Sequence, residues 1–214
     1  IINHGDLIMT SSSNFNGKDG FTLSGNGITF QQNTTFDEET GKYSVVGSPI
    51  TNGSTSVLGS VVYAYDVLAD LIVGEGANRF VKVTSPETME PGQGYFSAFT
   101  GTLQFTGTPN SGTVDISLDH TTSSGDEADY DGFNLVANPY PCSISFFDFL
   151  DANGPDGSGA IAGNIYIWVD EGSDEERGTN ADYMICNDMG FAGNMSRISN
   201  FDNRMLSCQG FFVQ

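Results

Sequence analysis

One strand layout is written twice in this chain, and that duplication limits what it can fold into more than any other feature. Tyr43-Ser44-Val45-Val46-Gly47-Ser48-Pro49 aligns with Phe133-Asn134-Leu135-Val136-Ala137-Asn138-Pro139 as aromatic, polar, aliphatic, Val, small, small polar, Pro. An aromatic-rich run follows each block, Val62-Tyr63-Ala64-Tyr65-Asp66 in the first repeat and Ile165-Tyr166-Ile167-Trp168-Val169-Asp170 in the second. Each repeat closes on Gln-Gly and two aromatics, as Gln93-Gly94-Tyr95-Phe96 and Gln209-Gly210-Phe211-Phe212. Three matched blocks in one order mark an internal repeat. The Pro49 to Gly94 interval is 45 residues and the Pro139 to Gly210 interval is 71, so the second repeat holds 26 more, which read largely as acidic loops. Ser-Pro and Asn-Pro end a strand, because the residue before proline is held extended and proline cannot donate to a ladder. The glycine before the paired aromatics permits close backbone approach, and the aromatics cover a core. The spacing fits two sheets of one sandwich and equally two small sandwiches.

Around the repeat, alternating runs break at Gly, Asn, Asp or Pro clusters roughly every eight to twelve residues, the pattern of a sandwich or barrel. Strands are expected at 6–10, 20–24, 27–32, 43–47, 61–65, 79–84, 94–99, 102–106, 113–118, 133–137, 164–169 and 210–213. The pattern predicts a hairpin between Thr102-Leu103-Gln104-Phe105-Thr106 and Thr113-Val114-Asp115-Ile116-Ser117-Leu118, with Leu103, Phe105, Val114, Ile116 and Leu118 on one face. A helical turn is expected at 145–150, where Phe146, Phe149 and Leu150 follow helical spacing. The fold class is therefore all-β, a β-sandwich of jelly-roll type with a duplicated strand layout. It divides into a short-strand segment at 1–41, a first repeat with its hairpin at 42–118 and a second repeat with acidic insertions at 119–214, the last two forming one compact unit.

Composition supports a core and narrows the partners. Sixteen Phe, 8 Tyr and 1 Trp within a 38% hydrophobic chain of 214 residues supply buried area, so disorder is not the global state. Against 27 acids stand 7 Lys plus Arg, a net charge of −20. Phosphate backbones and anionic membranes need a basic surface, so neither nucleic acid nor a membrane surface is the partner. No apolar run approaches the roughly 18 residues that span a bilayer. The opening Ile1-Ile2-Asn3-His4 suits a chain whose leader is removed or a piece of a longer protein. Acidity is concentrated between Asp119 and Asp202, which hold 16 acids and 2 bases.

Cys142, Cys186 and Cys208 match no zinc spacing; they allow one disulfide and a spare thiol, or three unpaired thiols. Only His4 and His120 offer imidazole, and no Gly-x-Ser-x-Gly elbow accompanies them, so no catalytic residue is assigned. Calcium is the one cofactor indicated. Asp151, Asn153 and Asp156 place oxygen ligands near alternate positions with Gly154 and Gly157 between them, like the start of an EF-hand loop without its closing Glu. The runs Asp126 to Asp131 and Asp170 to Glu176 are also carboxylate-rich, and all of these stretches equally suit solvated loops that keep the chain soluble. Tyr63 with Tyr65, and Tyr166 with Trp168, form either sugar-stacking platforms or, by the same period of two, core faces. Asn33, Asn52 and Asn194 begin sequons at near-chance frequency in so polar a chain.

The run Gly132-Phe133-Asn134-Leu135-Val136-Ala137-Asn138-Pro139-Tyr140-Pro141 resembles the Gly-Trp-Asn-Leu-Val-Gly-Asn-Pro-Tyr-Pro motif near the C-termini of surface proteins exported by the type IX secretion system of Bacteroidetes. Gly92-Gln93-Gly94-Tyr95-Phe96, Leu103-Gln104-Phe105-Thr106-Gly107-Thr108, Ile165-Tyr166-Ile167-Trp168 and Gln209-Gly210-Phe211-Phe212-Val213 resemble neighbouring blocks of the same proteins. Phe133 stands where Trp is common, Cys142 stands where Ser is usual, and Cys186 and Cys208 lie outside the pattern. The resemblance implies an extracellular or cell-surface, all-β, non-catalytic structural or adhesion module. Its partners would be other domains of the same protein or copies of itself, assembled into a fibre or surface layer. The alternative is a calcium-assisted carbohydrate-binding module, with glycans as partners, appended to a secreted polysaccharide-degrading enzyme.

Overall fold

Alternation in the repeated blocks gives each strand two unlike faces. The structure, a computed structural model, describes residues 2–3, 8–10, 24–25, 27–34, 43–69, 79–121, 131–168, 183–193 and 203–214. In it, Val62 and Ala64 belong to one apolar cluster, whereas Tyr63 and Tyr65 belong to another. The first repeat forms a four-stranded antiparallel sheet in the order Ser44–Val46, Tyr95–Ser97, Val62–Tyr65, Phe80–Lys82. The second forms a five-stranded antiparallel sheet in the order Asn134–Ala137, Gly210–Val213, Ile165–Trp168, Tyr183–Asn187, Gly190–Gly193. Strand order agrees, and so does register. Tyr95 lies opposite Val46 and Phe96 opposite Val45, just as Phe211 lies opposite Val136 and Phe212 opposite Leu135.

The duplication reaches smaller elements. Gly53–Ser54 pairs with Thr88–Met89, and Ile144–Ser145 with Arg204–Met205. A helix follows each first strand: a 3-10 turn at Thr55–Leu58 and an α-helix at Phe146–Asn153. Both start at a serine cap, which satisfies an orphan amide of the first turn. Ser54 Oγ accepts from the Ser56 N–H at 3.2 Å, and Ser145 Oγ from the Asp148 N–H at 3.2 Å.

The two sheets meet through their aromatic faces and form one sandwich, which decides between the two arrangements the spacing allowed. Phe96, Leu135 and Phe212 are buried there, surrounded by Tyr43, Val45, Tyr63, Tyr65, Phe133, Tyr166, Trp168 and Tyr183. Ring contacts come in equivalent pairs. Tyr65 meets Phe212 edge-on at 5.0 Å, and Trp168 meets Phe96 edge-on at 5.7 Å. Tyr65 to Phe80 at 5.3 Å corresponds to Trp168 to Tyr183 at 5.2 Å. The contact of Phe96 with Phe212, at 6.1 Å, is its own equivalent and marks the internal pseudo-two-fold. Edge-on rings add about 0.5–1.5 kcal/mol per pair to the area they bury.

Different covers close the outer faces. Over the first sheet lies a three-stranded sheet, Gly101–Gly107, Ile28–Thr34, Ile8–Thr10, whose Ile28, Phe30, Leu103 and Phe105 pack with Val46, Val62 and Tyr95. Over the second lies the α-helix, whose Phe146 and Leu150 pack with Val136, Ile165, Ile167 and Phe211. The architecture is thus all-β, with one short α-helix among the described residues.

One expectation, the hairpin, changes. Gly101–Gly107 pairs along its whole length with Ile28–Thr34 rather than with 113–118, which form no strand. Instead 108–118 run as a connector: Ile116 lies over Gly92, where any Cβ would be 2.3 Å from its Cδ1, and Leu118 reaches the second core. The strand Ile28–Thr34, placed before the boundary at 42, shares the first core. The extra residues of the second repeat are not only acidic loops, because part of them builds the helix that covers its core. The expected helical turn at 145–150 is the start of that helix.

Candidate functional site

The recognisable motif and its first-repeat counterpart form two turns at one end of the pseudo-two-fold. Asn138 is 1% exposed, and its amide Nδ2 donates to the carbonyls of Cys142 at 2.7 Å and Leu206 at 3.0 Å. Its Oδ1 accepts from the Tyr140 N–H at 3.0 Å, the two-residue reach that lets Asn hold a turn. Ser48, its counterpart, does the same on a shorter side chain: Oγ accepts from the Ile50 N–H at 3.3 Å and donates to the Ile50 carbonyl at 2.9 Å. Asn110 ties the two turns together, donating from Nδ2 to the carbonyls of Ser48 at 3.1 Å and Pro139 at 2.9 Å. Ser207 Oγ donates to the Tyr140 carbonyl at 2.6 Å, and the Tyr140 hydroxyl donates to the Gly112 carbonyl at 2.7 Å. Burial pushes the Tyr140 phenol above its ordinary value. Asn134 completes the set, with Nδ2 donating to the carbonyls of Asp119 and Gly132, both at 2.9 Å, and Oδ1 accepting from the Asp119 N–H at 3.0 Å.

Below the turns the backbones cross reciprocally. The Gly47 N–H donates to the Cys208 carbonyl at 2.8 Å, and the Ala137 N–H to the Gly92 carbonyl at 2.7 Å. Glycine is required at the crossing. A Cβ on Gly94 would lie 2.8 Å from Leu135 Cγ, and one on Gly210 would lie 2.2 Å from Val45 Cγ1, counterpart against counterpart.

A second polar cluster joins the repeats. Arg79 leads into the strand Phe80–Lys82, and Asp131 precedes Asn134–Ala137; their 3.2 Å ion pair is buried, at 4% and 11% side-chain exposure. Asp131 Oδ1 also accepts from Thr121 Oγ1 at 2.6 Å, and its carbonyl accepts from Gln214 Nε2 at 3.0 Å. Sequence spacing gives no sign of this pair, since 52 residues separate its partners. Asn110 and Ser207 were likewise invisible as polar ties, although Met89 and Met205, each four residues before the Gln of its Gln-Gly block and both fully buried, could have extended the alignment toward Ser207.

The expected calcium ligands sit at the end of the α-helix. Asp151 is exposed in its last turn, Asn153 is its last residue and Asp156 is exposed in the turn beyond. Asn153 Nδ2 donates to the Phe149 carbonyl at 2.8 Å, and the Asn153 carbonyl accepts from the Ile161 N–H at 3.1 Å. Among the described residues no three His, Cys, Asp or Glu side chains gather as a metal would need. The carboxylate runs at 126–130 and 170–176, His4 and Asn194 lie outside the described residues.

The disulfide that three cysteines allow is not formed, because the thiols occupy separate places: Cys208 in the first core, Cys186 in the second, Cys142 half-buried beside the motif turn. Burial pushes the Cys186 thiol up to about 11, with Asp188 adding to the shift, and drives Cys208 up as well. Burial also raises Cys142, partly offset by Arg204. All three are thus protonated near neutral pH, and none is an activated nucleophile. Tyr63, Tyr65, Tyr166 and Trp168 face the opposing sheet within the aromatic cluster, the core alternative of the two their spacing allowed.

Comparison with curated proteins and with solved structures finds no match. A family model described as a domain of unknown function (DUF8693) matches residues 1–214, and the chain belongs to that family.

Proposed function

We propose that this domain is a non-catalytic structural and adhesion module of an exported, cell-surface bacterial protein, working through contacts with neighbouring domains or with copies of itself. One observation carries this reading: the polar side chains of the motif are consumed in holding the fold. Asn134, Asn138, Ser48, Asn110 and Ser207 all bond to backbone groups across the turns and the pseudo-two-fold. Side chains whose N–H and O–H donors are all committed to backbone carbonyls in this way organise a scaffold and have no donor to spare for a substrate. The resemblance to type IX-exported proteins supports the location, and the net charge of −20 suits a surface bathed in salt, where repulsion is screened.

A glycan array probed with the intact domain, once with millimolar calcium and once with chelator, tests the reading. A blank array in both conditions is expected. Calcium-dependent binding to a polysaccharide would overturn it in favour of a carbohydrate-binding module appended to a polysaccharide-degrading enzyme, and would return Asp151, Asn153 and Asp156 to consideration as ligands.

A further inference from the structure

The two repeats differ at one sheet edge. In the second, Tyr183–Asn187 is flanked by Gly190–Gly193, with Ile185 opposite Ala192 and Asn187 opposite Gly190. In the first, Phe80–Lys82 ends the sheet among the described residues. Register carries Met184, Ile185, Cys186 and Asn187 onto Val81, Lys82, Val83 and Thr84. The Val83 N–H donates inward to the Val62 carbonyl at 2.9 Å, and the Arg79 carbonyl accepts from the Asp66 N–H at 2.9 Å. Antiparallel bonding alternates, so the N–H and C=O of Lys82 and Thr84 point outward. Val81 is 44% exposed, and Lys82 and Thr84 are exposed as well. Two positions on, Pro86 offers no N–H, which limits the ladder to a short segment.

From this edge we infer that two copies of the chain pair antiparallel through Val81 to Thr84, filling on each first repeat the place that Gly190–Gly193 fills on the second. The inference rests on the module reading above and names its partner. The occupant is a second copy because the edge is complementary to itself. With the two-fold at Val83, Lys82 of one copy exchanges both backbone bonds with Thr84 of the other, and valine meets valine at the centre. Lysine then faces threonine, so no like charges oppose directly. Strand addition of this kind takes its affinity from main-chain bonds. A segment this short buries well under the roughly 1,200 Å² of a standard stable interface, so the pairing is weak. Each copy carries −20, so added salt strengthens it.

Sedimentation equilibrium of the full chain from about 10 μM to about 1 mM, at low and high sodium chloride, tests this. A monomer–dimer equilibrium that tightens with salt is expected, weakened tenfold or more by Thr84→Pro and unaltered by Thr84→Ser. Hydrogen exchange on the wild type gives a readout independent of variant folding: the Lys82 and Thr84 amides should slow as concentration rises. A monomer under all conditions, a dimer indifferent to Thr84→Pro, or exchange at these amides independent of concentration overturns the pairing. None of these results bears on the glycan array, so failure of the pairing and failure of the module reading are separable.

Discussion

Gly47 and Ala137 occupy equivalent places in the two repeats and nearly touch: a Cβ added to Gly47 would lie 2.4 Å from Ala137 Cβ and 3.1 Å from the Gln93 carbonyl oxygen. There is room at the crossing for one methyl and not for two. Gly47→Ala should therefore cost about 1–3 kcal/mol, the usual range for overpacking a tight site. The double variant Gly47→Ala with Ala137→Gly moves the methyl to the other side of the pseudo-two-fold and should recover most of the loss. Urea denaturation of the wild type, both single variants and the double checks this. Additive effects, with no recovery, would show that the two positions do not share the space.

Asn138 holds its turn through one side chain that meets three carbonyls, of Cys142, Met205 and Leu206, and one N–H. Removing it leaves those groups buried without their partner, at about 1–3 kcal/mol for each group that water cannot reach. Asn138→Ala should thus destabilise by roughly 2–4 kcal/mol, the aggregate of such losses after partial relaxation. Tyr140→Phe removes a single bond to Gly112 and should cost about 1 kcal/mol. Chemical denaturation of the two variants gives the comparison; similar values for both would remove Asn138 from its central role in the turn.

The strands and the sandwich were legible because alternation and the Gln-Gly and X-Pro blocks are local signals. Tyr63 and Tyr65 fall on one face by period alone, and the structure puts them in the aromatic cluster. What the sequence concealed was non-local. Leu103 and Phe105 alternate as a strand should, but alternation is silent about partners, and Ile28–Thr34, far upstream, supplies a seven-residue match that 113–118 does not. The position of Gly92 shows why. Its φ of 87° and missing side chain leave a slot for Ile116, whereas the second repeat places Cys208 there, in the same left-handed region at φ 63°, and buries its thiol. The candidate site followed the same division: the motif was visible, but the role of its asparagines depended on carbonyls contributed from Asp119 and Leu206.

Arg79 and Asp131 make the ion pair between repeats deep enough that losing one partner strands a charge. Asp131→Ala should cost about 3–5 kcal/mol, as for other buried pairs broken on one side. Replacing both, as Arg79→Met with Asp131→Leu, should be far milder and within about 2 kcal/mol of wild type, because no unpaired charge remains. Thermal melting of the single and double variants decides; a double variant as damaged as the single would mean that the Thr121 hydroxyl, left without the Asp131 carboxylate, costs more than the unpaired charge does.

Tyr95 sets a limit to stability in alkali. It is 3% exposed, and burial first, then Glu87 and Glu90, pushes its phenol up to about 12 from an unfolded value near 10. The native state therefore keeps its proton where the unfolded chain has released it, and stability falls with rising pH wherever the native state binds more protons. The contribution is complete below pH 10 and is lost progressively from about pH 10 to 12, a total of about 2–3 kcal/mol for a shift of this size. Cys186, raised to about 11 by burial, titrates in the same window, so the difference between wild type and Tyr95→Phe isolates the phenol. Urea midpoints measured between pH 9 and pH 11.5 should fall less steeply for Tyr95→Phe than for wild type. Parallel curves would mean that the Tyr95 hydroxyl ionises as freely in the folded domain as in the unfolded chain.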